Sequence, residues 1–211
     1  INNLYPVPMD LKIDIETLVK AVNGRLIRGT GKAAFNSFVT DTRKLKNGNF
    51  FWALKGLEHD AHVFLEETFE KKVKGWIVED GKISRFKVFP EFVIGVWDSL
   101  KALQRLSAWH RARFDIPVTA ITGSNGKSTV KEMLRSVLSR AGATCSNAGN
   151  LNNQFGLPLS LLELRRKHKF GVFELGASKK GDIAEIASLA RPTAAVITNI
   201  GPSHLEYFGD L

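Results

Sequence analysis

The stretch from Ala120 to Thr129 carries the residues best suited to chemistry, and that chemistry is phosphate binding. An apolar run, Val118 to Ile121, predicts a short buried strand, and the letters TGSNGKST follow from position 122. Helical periodicity then begins at Lys127, and Gly142 is typical of a helix end. The predicted apolar face of this helix consists of Val130, Met133, Leu134, Val137 and Leu138. A strand, a loop of small residues and a helix N-terminus together direct backbone N–H groups and a positive dipole at an anion.

Two side chains of this loop have distinct uses. Lys127 would reach the terminal phosphates of a nucleotide, and the Ser128 hydroxyl would ligate Mg²⁺. Ile121 replaces the first glycine of the common pattern G-x-x-x-x-G-K-[ST]. The alternative is a polar turn that only caps a helix, but such a turn explains neither the Lys-Ser pair nor the strand before it. We therefore expect ATP and Mg²⁺ at a nucleotide-binding loop made of Thr122, Gly123, Ser124, Asn125, Gly126, Lys127, Ser128 and Thr129.

Two later strands are predicted to end beside this loop. Phe170 to Phe173 leads to Glu174, and Ala194 to Ile197 leads to Thr198-Asn199, with His204 a few residues on. Parallel strands deliver their carboxyl ends to one edge of a sheet, so these groups are expected to converge. Glu174 is then a candidate Mg²⁺ ligand, and His204 a candidate second metal ligand. Taken singly, a Glu at a strand end is usually solvated and a lone His is usually structural.

A further segment is dense in side-chain amides. Asn150, Asn152 and Asn153 fall within four positions, and they suit hydrogen bonding to a sugar, a phosphate or a carboxamide. The alternative is an Asn-rich turn before a helix. We assign Asn150 to both the nucleotide and the substrate, and Asn152 and Asn153 to the substrate. Cys145 is predicted to be a small buried residue rather than a nucleophile.

The elements that must position these groups alternate along the chain. The first half predicts a helix capped by Asp14, several short strands and a helix starting at Asp98-Ser99, and the second half alternates strands with helices. We predict an α/β fold with a small N-terminal α/β domain over residues 1–98. A partial, doubly wound and mostly parallel P-loop-type domain follows over residues 99–211. The predicted strands are 26–28, 35–42, 49–54, 76–78, 92–96, 118–121, 170–175 and 194–199. The predicted helices are 15–22, 127–141, 157–164 and 182–190, and a further helix capped by Asp60 has Phe64, Leu65, Thr68 and Phe69 on one side.

Composition narrows the class of protein. The chain has 211 residues, 44% of them hydrophobic, and its 30 Lys and Arg against 21 Asp and Glu leave a net charge of +9. The excess favours anionic partners, but no RNA-binding aromatic signature accompanies it, so we expect no nucleic acid. We also expect no membrane span and no secretory signal. A single cysteine excludes an intramolecular disulfide, and a reducing cytoplasm is the simplest location. The oligomeric state stays open.

Several segments together resemble the Mur ligase family. In the second half these are TGSNGKSTVKEM at 122–133, GNLNNQFGLP at 149–158, ELGA at 174–177 and HLEYFG at 204–209. Upstream, TDTR at 40–43, FWALKG at 51–56 and DAH at 60–62 resemble the N-terminal uridine-nucleotide domain of that family. The resemblance covers nearly the whole chain, and the motifs are more specific in combination than singly.

The resemblance implies an ATP-dependent ligase of cytoplasmic peptidoglycan precursor synthesis. It implies that D-Ala-D-Ala is joined to UDP-MurNAc-tripeptide through an acyl phosphate, with Lys127, Glu174 and His204 as the catalytic residues. It also implies a C-terminal domain and a carbamylated lysine beyond Leu211, so we expect no ligase activity from these 211 residues alone. Ser178 stands where the family more often has Asn. The implied UDP-sugar residues are Thr40, Thr42, Arg43, Lys55, Gly56, Leu57, Glu58 and His59.

Three other functions remain open at this level. Another Mur ligase or a folylpolyglutamate-type ligase would share the nucleotide-binding loop but differ around residues 149–158. A P-loop hydrolase or kinase would need an additional acidic metal motif and a residue that positions water. A non-catalytic module that binds a UDP-sugar would need neither.

Overall fold

Strands and helices alternate along most of the computed structural model, which describes residues 7–56 and 58–201. The chain divides into two compact units, Ile1–Leu106 and Ser107–Leu211. The boundary predicted between residues 98 and 99 lies earlier in the chain, and the assignment of the two parts to a UDP-sugar and an ATP domain stays a prediction. The predicted α/β class with mostly parallel strands is confirmed.

The first unit is built on one six-stranded sheet. Its spatial order is β1-β3-β4-β5-β6-β2, and the four strands from β3 to β6 are mutually parallel, whereas β1 and β2 pair antiparallel at the two edges. The carboxyl ends of the four parallel strands therefore share one edge. The strands are β1 Val7–Asp14, β2 Arg25–Arg28, β3 Ala34–Val39, β4 Phe50–Trp52, β5 Gly75–Glu79 and β6 Phe92–Val96, and the helices are α1 Ile15–Val22, α2 Leu65–Glu70 and α3 Ser99–Arg111.

Local sequence explains these elements. The Asp14 side chain accepts a hydrogen bond from the Thr17 N–H at 2.6 Å and so caps α1 as predicted. Asn23 ends the helix in a left-handed conformation. Every residue of β4 is buried, which is typical of a central parallel strand covered on both faces. Helix α3 begins in the first unit, where the Ser99 carbonyl accepts a hydrogen bond from the Trp52 ring N–H at 3.1 Å.

The second unit has a four-stranded sheet that is parallel throughout, in the order β10-β7-β9-β8. The last turn of α3 belongs to this unit, and its buried Arg111 donates hydrogen bonds to the carbonyls of Ala190 and Arg191. The strands are β7 Val118–Thr122, β8 Thr144–Ser146, β9 Phe170–Glu174 and β10 Ala194–Ile197, and the helices are α4 Lys127–Ser139, α5 Gly156–Leu161 and α6 Asp182–Ala190.

The sequence prediction missed two strands and part of one helix face. Strand β1 contains a proline and alternating charges, and β8 is only three residues long, so neither has a clear periodic signal. Helix α4 forms as predicted, but Met133 and Val137, assigned to its apolar face, are 64% and 65% exposed, while Lys131 is buried. The side of α4 that packs against β8 and β9 thus carries a charged residue.

Candidate functional site

The nucleotide-binding loop connects β7 to α4 as the sequence predicted. Gly123 and Gly126 have positive φ values of 129° and 78°, which glycine adopts without the steric cost other residues meet. Helix α4 starts at Lys127. The first N–H groups of a helix have no partner within the helix, so the loop offers an anion a set of backbone donors.

The Lys127 side chain curves back over the loop. Its ammonium group donates hydrogen bonds to the carbonyl oxygens of Gly123 at 2.7 Å and of Ser124 at 3.2 Å. The positive charge is therefore held at the loop that is predicted to receive the phosphates.

Glu174 lies beside the loop, at the end of β9, and only 3% of it is exposed. One carboxylate oxygen accepts a hydrogen bond from the Ser128 hydroxyl at 2.7 Å, and the other from the Asn152 amide at 2.8 Å. Mg²⁺ prefers oxygen ligands. The Ser128 hydroxyl and the Glu174 carboxylate therefore fit a magnesium ion whose other ligands are phosphates and water. The structure brings together two of the three predicted metal-binding residues, Ser128 and Glu174.

The end of β10 holds the loop from its other side. Thr198 donates a hydrogen bond from its hydroxyl to the Asn125 carbonyl at 2.6 Å. Asn199 accepts two: its backbone carbonyl from the Ser124 N–H at 3.2 Å, and its side-chain oxygen from the Asn125 N–H at 2.9 Å. A Cβ atom at Gly123 would overlap Thr198 Oγ1 and the backbone of Asn199. The predicted convergence of Thr198 and Asn199 on the loop is thus observed, whereas His204 lies outside the described residues.

The three asparagines at positions 150, 152 and 153 have different surroundings. Asn152 contacts Glu174, whereas the Asn153 side-chain oxygen accepts hydrogen bonds from the backbone N–H groups of Phe155 and Gly156, at the start of α5. The Asn153 oxygen therefore caps a helix. Asn150 is exposed, and its predicted role toward nucleotide and substrate stays a prediction.

Sequence reasoning missed two buried residues next to Glu174. Asn147 follows β8, and its carboxamide contacts both the N–H and the carbonyl of Glu174. Lys131 donates from its ammonium to the Asn147 carbonyl at 2.9 Å. An asparagine immediately after a strand that pairs with β9 would have been a usable signal, but β8 itself was not predicted.

In the first unit, the predicted UDP-sugar residues follow β3 and β4 at the shared carboxyl edge. Thr40 comes directly after β3, and Thr42 and Arg43 lie in the short 3₁₀ helix Thr42–Lys44. Arg43 donates to both carboxylate oxygens of Asp41, at 2.9 and 2.7 Å, and this contact lowers the pKa of Asp41. The Arg43 side chain is nevertheless 70% exposed.

The other predicted UDP-sugar residues form a narrow loop after β4. Lys55 and Asp60 pair across its base, and the Gly56 N–H donates to the His59 carbonyl at 2.8 Å. Glu58 is exposed, and Leu57 lies outside the described residues. The Lys55 N–H donates to the Ser99 hydroxyl at 3.2 Å, which ties the loop to the start of α3.

A buried histidine, His62, contacts Asp60 at the base of this loop. His62 accepts a hydrogen bond at Nε2 from the Glu79 N–H at 2.9 Å, so its Nδ1 proton is directed at Asp60. Burial would raise the pKa of Asp60, but hydrogen bonds from the backbone and ring of His62 and from Lys82 outweigh it and lower that pKa to about 2. Asp60 therefore remains a carboxylate that joins His62 to Lys82.

Within residues 7–56 and 58–201, no helix is long and apolar enough to cross a membrane. The same residues contain no cluster of three or more His, Cys, Asp or Glu side chains placed to hold a metal. A metal ion at the Ser128–Glu174 pair would therefore need further oxygen ligands, such as phosphates.

Comparison with known proteins gives a consistent result. Residues 121–211 match the family described as Mur ligase middle domain. The chain is 36% identical to a UDP-N-acetylmuramoyl-tripeptide–D-alanyl-D-alanine ligase of Buchnera aphidicola subsp. Acyrthosiphon pisum (strain APS), over 95% of this chain and 43% of that protein. A homologous ligase of Escherichia coli (strain K12), with the same name, is 38% identical over 95% of this chain and 43% of its own length.

Solved structures agree. A crystal structure of MurF from Acinetobacter baumannii superposes with a TM-score of 0.87 and 36% identity, covering 96% of this chain and 44% of that one. MurF ligase from Thermotoga maritima in complex with ADP gives a TM-score of 0.72 and 34% identity, over 82% of this chain and 39% of that one. The chain therefore spans less than half the length of these relatives.

The first prediction concerns the contact between Gly123 and the end of β10. Gly123→Ala should lower the free energy of unfolding by about 3 kcal/mol, because backbone strain and steric overlap add. Gly181→Ala is the matched control, since Gly181 also has a positive φ, of 94°, but nothing lies within 4 Å of its Cβ position. The control should lose only about 1 kcal/mol. Urea unfolding followed by circular dichroism measures both, and equal losses would contradict the steric argument.

The second prediction concerns acid stability at Asp60. The folded pKa of about 2 lies below the unfolded value of 3.8, so the stabilisation is present above pH 4 and is lost as the pH falls toward 2. Asp60→Asn removes this contribution, on the order of 1 kcal/mol for a partly exposed pair. The difference in melting temperature between wild type and variant should therefore shrink from pH 5 to pH 2. A difference that stays constant across this range would refute the assignment.

Proposed function

The chain belongs to the Mur ligase family, and from that premise we propose that it is the UDP-sugar-binding and ATP-binding part of an ATP-dependent ligase. The proposed substrates of the whole enzyme are UDP-MurNAc-tripeptide and D-Ala-D-Ala, and the proposed setting is cytoplasmic peptidoglycan precursor synthesis. The observation that carries the proposal is the buried Glu174 carboxylate, held at the Ser128 hydroxyl beside the nucleotide-binding loop.

In the proposed reaction, the terminal carboxylate of the UDP-MurNAc-tripeptide attacks the γ-phosphorus of ATP. An acyl phosphate and ADP result. The amine of D-Ala-D-Ala then attacks the acyl carbon, and phosphate leaves as the amide forms. Phosphoryl transfer of this kind depends mainly on positioning and on neutralising the charge of the phosphate oxygens.

The residues of the second unit supply these two needs. Lys127 would exchange its contacts with the Gly123 and Ser124 carbonyls for phosphate oxygens, and the N–H groups at the start of α4 would bind the same phosphates. Ser128 and Glu174 would hold Mg²⁺, which supplies charge neutralisation when bound. His204 is proposed as a further metal ligand from its sequence position shortly after Ala194–Ile197 and from the family resemblance.

The first unit is proposed to bind the UDP-sugar. Arg43 and Lys55 follow neighbouring parallel strands, and their side chains suit the pyrophosphate. Thr40 and Thr42 would contact the uracil. The loop that includes Gly56, Glu58 and His59 is held in place by two contacts. The Lys55 N–H donates to the Ser99 hydroxyl, and Asp60 at the base of the loop contacts the His62 ring, so the loop is preorganised for a ligand.

The third prediction tests the nucleotide-binding loop. Lys127→Ala should weaken binding of ADP with Mg²⁺ by roughly 10- to 100-fold, because a charge-assisted hydrogen bond contributes about 1.5–3 kcal/mol. Titration calorimetry on the 211-residue chain measures the affinity. Lys167→Ala, an exposed lysine before β9, should leave it unchanged. Wild-type affinity in Lys127→Ala, with the fold intact, would remove Lys127 from the site.

The fourth prediction tests the UDP-sugar site. Arg43→Ala and Lys55→Ala should each weaken binding of UDP-MurNAc-tripeptide about tenfold, since each removes a charged partner of phosphate. The affinity for ADP should not change in either variant. Lys20→Ala is the control, because Lys20 is exposed on α1 and pairs with Glu16. If both variants bind the UDP-sugar as well as wild type does, the site lies elsewhere.

A further inference from the structure

The backbone of Glu174 lies beyond the end of the pairing between β8 and β9. Strand β8 pairs with β9 only as far as Ser146, opposite Val172. Beyond that point, no strand within the described residues pairs with the backbone groups of β9 that face β8. Glu174 lies two residues further along, so its N–H and carbonyl need another partner, and the direction of its side chain depends on what that partner is.

The side chain of Asn147 takes the place of the missing strand. Its oxygen accepts a hydrogen bond from the Glu174 N–H at 2.9 Å, and its nitrogen donates to the Glu174 carbonyl at 3.0 Å. The same nitrogen donates to the Leu151 carbonyl at 3.0 Å. Asn147 is only 1% exposed, so a carboxamide of fixed orientation clamps the backbone of Glu174 on both sides.

Helix α4 secures the clamp. Lys131 donates from its ammonium to the backbone carbonyl of Asn147, and its side chain is buried. Ser128 lies three positions before Lys131 and therefore on the same side of the helix. The helix thus contacts the two neighbouring strands at two points, through Lys131 at Asn147 and through Ser128 at the Glu174 carboxylate.

We propose that Asn147 is a positioning residue that directs the Glu174 carboxylate at the Ser128 hydroxyl and thereby sets the metal-dependent part of nucleotide binding. This inference rests on the proposed function, in which a magnesium nucleotide binds at this loop. Lys127 and the backbone N–H groups bind phosphate whether or not a metal is present. Among the residues proposed to bind the magnesium nucleotide, the Asn147 side chain contacts Glu174, so its influence is expected on the contribution of the metal.

The test measures how much Mg²⁺ strengthens ADP binding. Titration calorimetry on the 211-residue chain gives the dissociation constant of ADP in EDTA and in Mg²⁺, and their ratio is the metal factor. Asn147→Leu should lower the metal factor about tenfold, as expected for the loss of a partner that orients a metal ligand. The affinity in EDTA should stay unchanged. Asn147→Ser is a milder variant that keeps the proposal testable if Asn147→Leu does not fold, and it should lower the factor in the same direction.

Thr193→Val is a matched control. The Thr193 hydroxyl also contacts both the N–H and the carbonyl of one strand residue, Val118, but at the amino end of the sheet. This variant should lower the melting temperature and leave the metal factor unchanged. If the role of Asn147 were merely structural, Asn147→Leu would behave like Thr193→Val. Each variant would lower the melting temperature, and neither would change the metal factor.

A second comparison uses Glu174→Gln as the background. If Asn147 acts through the Glu174 carboxylate, adding Asn147→Ser to Glu174→Gln should change the metal factor no further. Additive effects, or an unchanged metal factor in both Asn147 variants, overturn the inference and leave the proposed function standing. If the wild-type chain binds no ADP in either condition, the proposed function itself fails, and the inference with it.

Discussion

The second unit depends on one constraint, which is that a carboxylate is buried at the end of a strand. Removing a charge from water is costly unless hydrogen bonds replace the water. Glu174 meets this requirement with a donor on each oxygen, Ser128 and Asn152, and each donor comes from a different segment. Helix α4 and the asparagine segment must therefore both approach the end of β9 for the carboxylate to be tolerated.

The two units share one arrangement of strand ends and loops, although the ligands proposed for them differ. In each, parallel strands end at one edge, and short loops carry polar residues beyond that edge. In the second unit β10, β7 and β9 are neighbours, so three successive strand ends reach the nucleotide-binding loop. In the first unit the loops after β3 and β4 carry the cationic residues. Rigid strands set the positions, and the loops supply the chemistry.

Much of this arrangement could be predicted because its signals are local. The strand before the loop, the Gly-Lys-Ser turn and the amphipathic helices all depend on residues close together in the chain, and knowing that parallel strands share an edge was enough to group Glu174 with Ser128. Other features depend on tertiary contacts. Strand β8 forms because β9 offers it an edge, and Lys131 is buried because the carbonyl of Asn147 lies within reach. The sequence around β8 and around Lys131 has no periodic pattern that indicates these contacts.

The contact between Asn199 and the nucleotide-binding loop has a consequence for selectivity. The two oxygens of Asn199 already accept hydrogen bonds from the N–H groups of Ser124 and Asn125. An anion that bound these N–H groups would have to displace the Asn199 oxygens. An incoming anion gains only the difference between its own contacts and those it displaces. A singly charged ion would gain little from the exchange, whereas a polyphosphate that also reached Lys127 and the start of α4 would gain more. The contacts at the end of β10 therefore set the minimum that any anion would have to gain in order to bind at the N–H groups of Ser124 and Asn125.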